Sequence, residues 1–143
     1  VGTPIKTRVD FQQLADVRLV EAKALLDVGL WDGAYYLAGY AVELALKARI
    51  IKVLMTTDAF PDKELSKNCY THAIETLVLV GELGADRVAR AKANSGFLLN
   101  WNAIKDWSEH KRYWRITEAE ARQLYAAVAE PVDGVLTWVK THW

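Results

Sequence analysis

An all-α fold, an up-and-down bundle of four long helices plus a short fifth helix, is predicted by three features of this 143-residue sequence. Apolar residues recur at helical spacing over most of the chain. Prolines and glycines are few, three and eight respectively, as long helices require. The run from Ala34 to Leu54 is apolar on almost every face of a 3.6-residue repeat, with Glu43 the only charge between Asp32 and Lys47. Such a run marks a central helix surrounded by others. Its small residues, among them Ala38, Gly39, Ala41 and Ala45, let neighbouring helices approach closely. The run is too short and interrupted to cross a bilayer, which takes about 20 apolar residues, so no membrane partner is expected.

Taken in order, residues 1–9 show no periodicity, contain Pro4 and read as an arm; residues 10–143 read as the bundle. Asp10 is the expected N-cap of helix one, which runs to Val28 on a face made by Phe11, Leu14, Ala15, Ala22, Leu25 and Leu26. Gly29 fits the residue just past a helix end. The link to Gly33 is short, so helices one and two pair antiparallel, with Asp32 the expected cap of the second. Met55–Tyr70 reads as irregular, with a short turn of helix after Pro61. Thr71 or Asn68 caps a third helix from His72 to about Glu82. Asp86 caps a fourth that runs to about Trp107, with Gly96 a place to bend. His110–Ile116 is a polar and aromatic connector. Thr117-Glu118-Ala119-Glu120 has the capping-box pattern, in which hydroxyl and carboxylate each accept an orphan backbone N–H. In the last helix Pro131 cannot donate to the carbonyl of Ala127, so a kink is expected.

Composition narrows the function classes. An apolar share of 52% argues for a packed core rather than disorder. Zero net charge removes the globally basic signature of a nucleic-acid binder, so any such binding must come from a local patch. One cysteine, Cys69, excludes an intrachain disulfide and fits a cytoplasmic, reducing setting. The sequence opens on Val1 with no basic-then-apolar leader, so no secretory signal is expected.

Cys69 and His72 have the offset of half a zinc site, but His110 and His142 stand alone and no second cysteine exists, so no metal is expected. Phosphate-cradling glycine motifs and Gly-x-Ser-x-Gly are missing, and no cofactor is expected. Glu43 and Lys47 sit four apart in the favourable order of a surface helix pair. The alternative puts Glu43 in the bundle interior or an oligomer interface, where its carboxylate needs Lys47 or an arginine as partner. The segment Lys105–Arg115 sets Lys105, Lys111, Arg112 and Arg115 among Trp107, Tyr113 and Trp114, with His110 between. Cations suit phosphates and aromatic faces suit bases, so the mixture fits a nucleotide or single-stranded RNA. It equally fits a helix–helix corner whose aromatics cover the core.

These residues also carry a family resemblance. An Ala22-x-x-Leu25-Leu26 helix ends in Gly29, followed by Gly39-Tyr-Ala-Val-Glu43-x-Ala-Leu-Lys47-Ala. Thr71-His72, Arg112-Tyr113 and a Glu-Ala-rich final helix follow in turn. Over roughly residues 12–140 the chain resembles the HEPN domains, small helical bundles often encoded beside minimal nucleotidyltransferases in prokaryotic toxin–antitoxin systems. The resemblance implies an often dimeric bundle that binds nucleotides or RNA. Many members are metal-independent ribonucleases using an Arg followed four to six residues later by a His. Here the nearest match is Lys105, four residues, then His110, and lysine lacks the planar fork of arginine.

The expectation is therefore an HEPN-like nucleotide- or RNA-binding domain without efficient catalysis, with a nucleotidyltransferase as possible partner. Ligand contacts are expected from Lys105, His110, Arg112, Tyr113, Glu43 and Lys47, the first four lining a shared cleft. A homodimer is expected from the apolar central helix and the six tryptophans that must be covered. A weak ribonuclease using Lys105 and His110, and a purely structural dimerisation module, are the alternatives.

Overall fold

The computed structural model describes residues 1–143 and is all-helical, with no strand. Eight α-helices replace the expected five: α1 (Arg8–Asp27), α2 (Trp31–Thr57), α3 (Lys63–Cys69), α4 (Ile74–Val80), α5 (Gly84–Ala93), α6 (Ser95–Ile104), α7 (Glu118–Ala129) and α8 (Val135–Lys140). A 3-10 turn, Glu109–Tyr113, lies between α6 and α7. At 1.5 Å per residue, α2 is about 40 Å long, and α1, α4, α7, α8 and the 3-10 turn all pack against it. Its small residues Ala34, Ala38, Gly39, Ala41, Ala45 and Ala48 are buried. No helix is long and apolar enough to cross a membrane.

The α1–α2 hairpin follows from local chemistry. Thr7, not Asp10, caps α1: its hydroxyl accepts from the Asp10 N–H at 3.1 Å, and the Asp10 carboxylate accepts from the Thr7 N–H at 2.8 Å. Asp10 thus supplies the acidic half of a capping box, and the helix starts two residues before the expected arm boundary. Backbone donation from Thr7 and Lys6 holds the Asp10 carboxyl below the usual range. Gly29, at φ +79°, closes α1 in the left-handed conformation, with Leu30 N–H bonded to Leu25 C=O and Gly29 N–H to Leu26 C=O. Asp32 does not cap α2. It lies inside the first turn and accepts from the Ile116 N–H at 2.7 Å, which ties α2 to the segment entering α7.

Polar side chains set several of the other boundaries, by capping at Asp62 and Asn94 and by bonding to a distant element at Asp86. Asp62 caps α3, which turns most of the expected irregular stretch helical. The chain enters α4 at Ile74, leaving His72 in the preceding turn. Asp86 lies in the first turn of α5 and accepts from Trp138 Nε1 at 2.7 Å and His142 Nε2 at 3.0 Å. The expected fourth helix is two helices, broken at Asn94 rather than bent at Gly96. The Asn94 side chain accepts from the Phe97 N–H at 3.0 Å and donates to Asp133 Oδ1 at 2.6 Å.

The Thr117–Glu120 capping box forms as expected. Pro131 ends α7 instead of kinking it: Glu130 before it is extended, as residues preceding proline prefer, and the chain re-enters helix at Val135. Gly134 permits this turn, because a Cβ there would meet the Glu130 carbonyl oxygen at 2.3 Å. The core is a large cluster, in which Trp138 meets Phe97 and Trp101 edge-on at ring-centroid distances of 5.3 and 6.4 Å, and a smaller one of Leu26, Ala34, Ile116 and Ala121. Near the chain's end the His142 carbonyl accepts from Arg49 at 3.2 Å and from Lys52 at 3.4 Å, both on α2.

Candidate functional site

The surface ion pair expected at Glu43 is a buried one. Glu43 sits mid-way along α2 with 1% of its surface exposed. Its Oε1 accepts from Lys47 Nζ at 3.0 Å and His72 Nδ1 at 2.9 Å. Lys47 comes from the next turn of α2, and His72 reaches over from the turn before α4. A carboxylate taken from water needs such partners, and removing one costs about 3–5 kcal/mol where a buried pair is broken. Its second oxygen, Oε2, is buried and has no hydrogen-bond partner.

Glu43, Lys47 and His72 stand at the wall of a half-open cavity of about 370 Å³ formed by the arm, α1, α2 and the end of α3. Its lining is mainly apolar, with Leu44, Ile50 and Leu54 from α2 and Phe11 from α1. Two weak acids join it. Burial, then the charge of Glu43, pushes the Tyr40 phenol up; burial pushes the Cys69 thiol up against the pull of Lys47. Both therefore stay protonated at neutral pH, and Cys69 is no activated nucleophile. Cys69 and His72 share this wall, but no group of three His, Cys, Asp or Glu side chains gathers anywhere to hold a metal ion.

The Lys105–Arg115 segment is arranged differently. Lys105 caps the end of α6 and its ammonium pairs with neighbouring Asp106 at 3.2 Å. The His110 side chain is 77% exposed and faces Glu109 at 3.6 Å. No hydrogen bond or ion pair joins Lys105 to His110. None of the four principal concavities is lined by Lys105, His110, Arg112 or Tyr113, so these four share no pronounced cleft. What the segment does assemble is a surface of cations on aromatic rings. Lys111 Nζ stands 3.3 Å from the Trp114 ring centre and the Arg112 guanidinium 4.8 Å from that of Tyr113, with both rings exposed. Arg115 reaches Asp32 at 3.4 Å with its side chain 97% exposed.

Buried Trp107 anchors this surface to α2. Its indole lies on Gly39, where an added Cβ would stand 2.2 Å from Nε1, and its ring meets Tyr36 at 5.6 Å. Tyr36 stacks in turn on Tyr40 at 6.1 Å, so one aromatic row runs along α2 from the connector to the cavity. Sequence reading missed His72 as a member of the Glu43 group, because it was placed within a helix rather than in a turn. The available signal was the lone carboxylate itself: one Glu in an apolar run demands a donor from another element. Compared with models of protein families, with curated proteins and with solved structures, the chain gives no match.

Proposed function

We propose that this chain is an HEPN-like helical module that binds single-stranded RNA or a nucleotide on the connector between α6 and α7, without efficient cleavage. The observation that carries the reading is the pair of adjoining cation-on-ring contacts, Lys111 on Trp114 and Arg112 on Tyr113. Bases stack on exposed aromatic faces while Lys111, Arg112 and Arg115 meet the phosphates. The same module acts in the cytoplasm as a homodimer within a toxin–antitoxin-type or nucleotidyltransferase-associated system. An apolar concavity between α4 and α5, with Leu79 and Val88 exposed, supports the dimer part of this reading. The non-catalytic part is supported by Lys105 being paired with Asp106 and having no hydrogen bond or ion pair with His110.

Fluorescence anisotropy with a labelled single-stranded RNA of roughly ten nucleotides tests the reading, as site sizes of about 4–16 nucleotides are usual for such surfaces. Binding is expected to weaken as salt rises, and more steeply in the parent than in Arg112→Ala, which loses a phosphate contact. Trp114→Ala is expected to lower affinity at every salt concentration. Cleavage is expected to be negligible in both parent and His110→Ala. Robust cleavage abolished by His110→Ala would promote the ribonuclease reading, and no binding at low salt would favour a structural module.

A further inference from the structure

We infer, resting on the dimer reading above, that the concavity between α4 and α5 is where a second copy of this chain docks, in a two-fold contact whose register is set by Glu75 of each copy against Arg87 of the partner subunit. α4 buries Ile74, Leu77 and Val78 and leaves Glu75 and Leu79, one turn apart, on its outer side. Leu79 is 68% exposed and leans over the turn into α5, where a Cβ on Gly84 would meet its Cδ2 at 3.0 Å. α5 packs chiefly on α6 and buries only Ala91, so Ala85, Val88 and Ala89 stay exposed. Between these edges lies a half-open concavity of about 690 Å³ that reaches down to buried Val78 and Trp101. Aliphatic edges around such a hollow gain by leaving water together.

Charge selects a second copy as the occupant. Each wall contributes one charged side chain, Glu75 from α4 and Arg87 from α5, the latter over the Trp101 ring at 4.9 Å from its centre. Neither takes part in any of the chain's ion pairs. A patch with one unpaired acid and one unpaired cation is complementary to itself under a two-fold rotation, in which residue i meets j and j meets i. One such contact forms two Glu75–Arg87 pairs and sets Leu79 and Val88 of each copy against the hollow of the other. The guanidinium is already seated on an indole, so it loses little freedom in taking a carboxylate. The chain's formal charge is zero, so no long-range repulsion keeps two copies apart.

Charge reversal tests the pairing, with dimer dissociation followed by light scattering on dilution and composition by native mass spectrometry. Glu75→Arg sets cation against cation across the two-fold, and Arg87→Glu sets acid against acid. Each variant alone is expected to dimerise about tenfold or more weakly than the parent. Mixed in equal amounts, the two are expected to form a heterodimer as tight as the parent dimer, because every acid then faces a cation. The heterodimer differs in mass from both homodimers, and a pairing within one chain could not produce it. Glu75 is exposed, so Glu75→Arg tests the contact even if Arg87→Glu, which also loses the stack on Trp101, fails to fold. A parent that stays monomeric would overturn the dimer reading and this interface together. A dimer that Glu75→Arg leaves unchanged would overturn the interface alone. Single variants that are weakened but show no preference for each other when mixed would overturn the Glu75–Arg87 register.

Discussion

Gly39→Ala sets two physical effects of opposite sign against each other. Gly39 is in the interior of α2, where alanine is favoured over glycine by about 1 kcal/mol on helix propensity. Packing says the reverse. The new Cβ would stand 2.2, 2.3 and 2.4 Å from Nε1, Cε2 and Cδ1 of Trp107, whereas ordinary contact begins at 3.4 Å. The indole would have to retreat by more than an ångström, yet it is among the largest fully buried side chains and also packs on Tyr36. Forcing extra volume into a packed core costs about 1–3 kcal/mol, and these contacts involve the rigid body of a ring, so the upper part of that range applies. Net of propensity, a loss of about 1–2 kcal/mol is expected. For a domain of this size that lowers Tm by roughly 3–10 °C. Urea unfolding followed by circular dichroism measures it, with Gly33→Ala as control, since the only close atom there is the flexible end of Leu25 at 3.0 Å. Gly39→Ala should also weaken RNA binding, because Trp107 seats the connector. A variant more stable than the parent by about 1 kcal/mol would refute the packing argument and leave propensity as the only effect.

Further outcomes follow from the other contacts. Lys47→Met, which keeps the side chain's bulk but strips Glu43 of its charged partner, should destabilise by about 3–5 kcal/mol in urea, and adding Glu43→Gln should recover much of the loss. Asn94→Ala should cost about 1 kcal/mol as a lost cap, with additional loss from the Asp133 contact, read by the same unfolding assay. The Asp10 and Glu120 carboxyls are both held low by hydrogen bonds within their capping boxes, chiefly from the Thr7 and Thr117 backbones. Their folded pKa values lie below the ordinary 3.8 and 4.5, so their stabilisation is complete above those values and is lost as pH falls through the lowered ones. Melting curves in that acid range should therefore flatten in Asp10→Asn and Glu120→Gln. Light scattering at micromolar concentration should return twice the 16.1 kDa chain mass; a clean monomer would remove the dimer from the proposed function.

The helical class, the α1–α2 hairpin, Gly29 and the Thr117 capping box were legible in the sequence because each depends on residues close together in the chain. Helix boundaries at Asp10, Asp32 and Asp86 were not. Each is a good capping residue by type, but its carboxylate answers a different donor: Thr7 and Lys6 N–H for Asp10, Ile116 N–H for Asp32, and Trp138 with His142 for Asp86. The last two donors are more than fifty positions away in the chain. The same holds at the site. Glu43 and Lys47 were visible at four-residue spacing, whereas the burial of Glu43 depends on other elements packing on α2, and its second donor comes from His72, twenty-nine positions on. The sequence puts Lys105 and His110 together where a long helix ends and a connector begins, but α6 stops at Ile104 and His110 lies in a 3-10 turn, where no hydrogen bond or ion pair joins the two.

The pinning of residues near the end of the chain to α2 has a consequence for biosynthesis. α2 is complete at Thr57, yet part of its cover comes from α8, which begins at Val135, and from the His142 carbonyl held on Arg49 and Lys52. Translation at about 5–20 residues per second leaves roughly 4–16 seconds between those two points. For that interval the longest helix of the chain is on the nascent polypeptide with an incomplete cover, while α1 is already available as a local neighbour. The α1–α2 hairpin can form early because its contacts are close in sequence, but docking of α8 must wait and spans most of the chain. The period between hairpin formation and arrival of the last helix is thus when this protein is most exposed to misassociation, and when a ribosome-bound chaperone has most to protect.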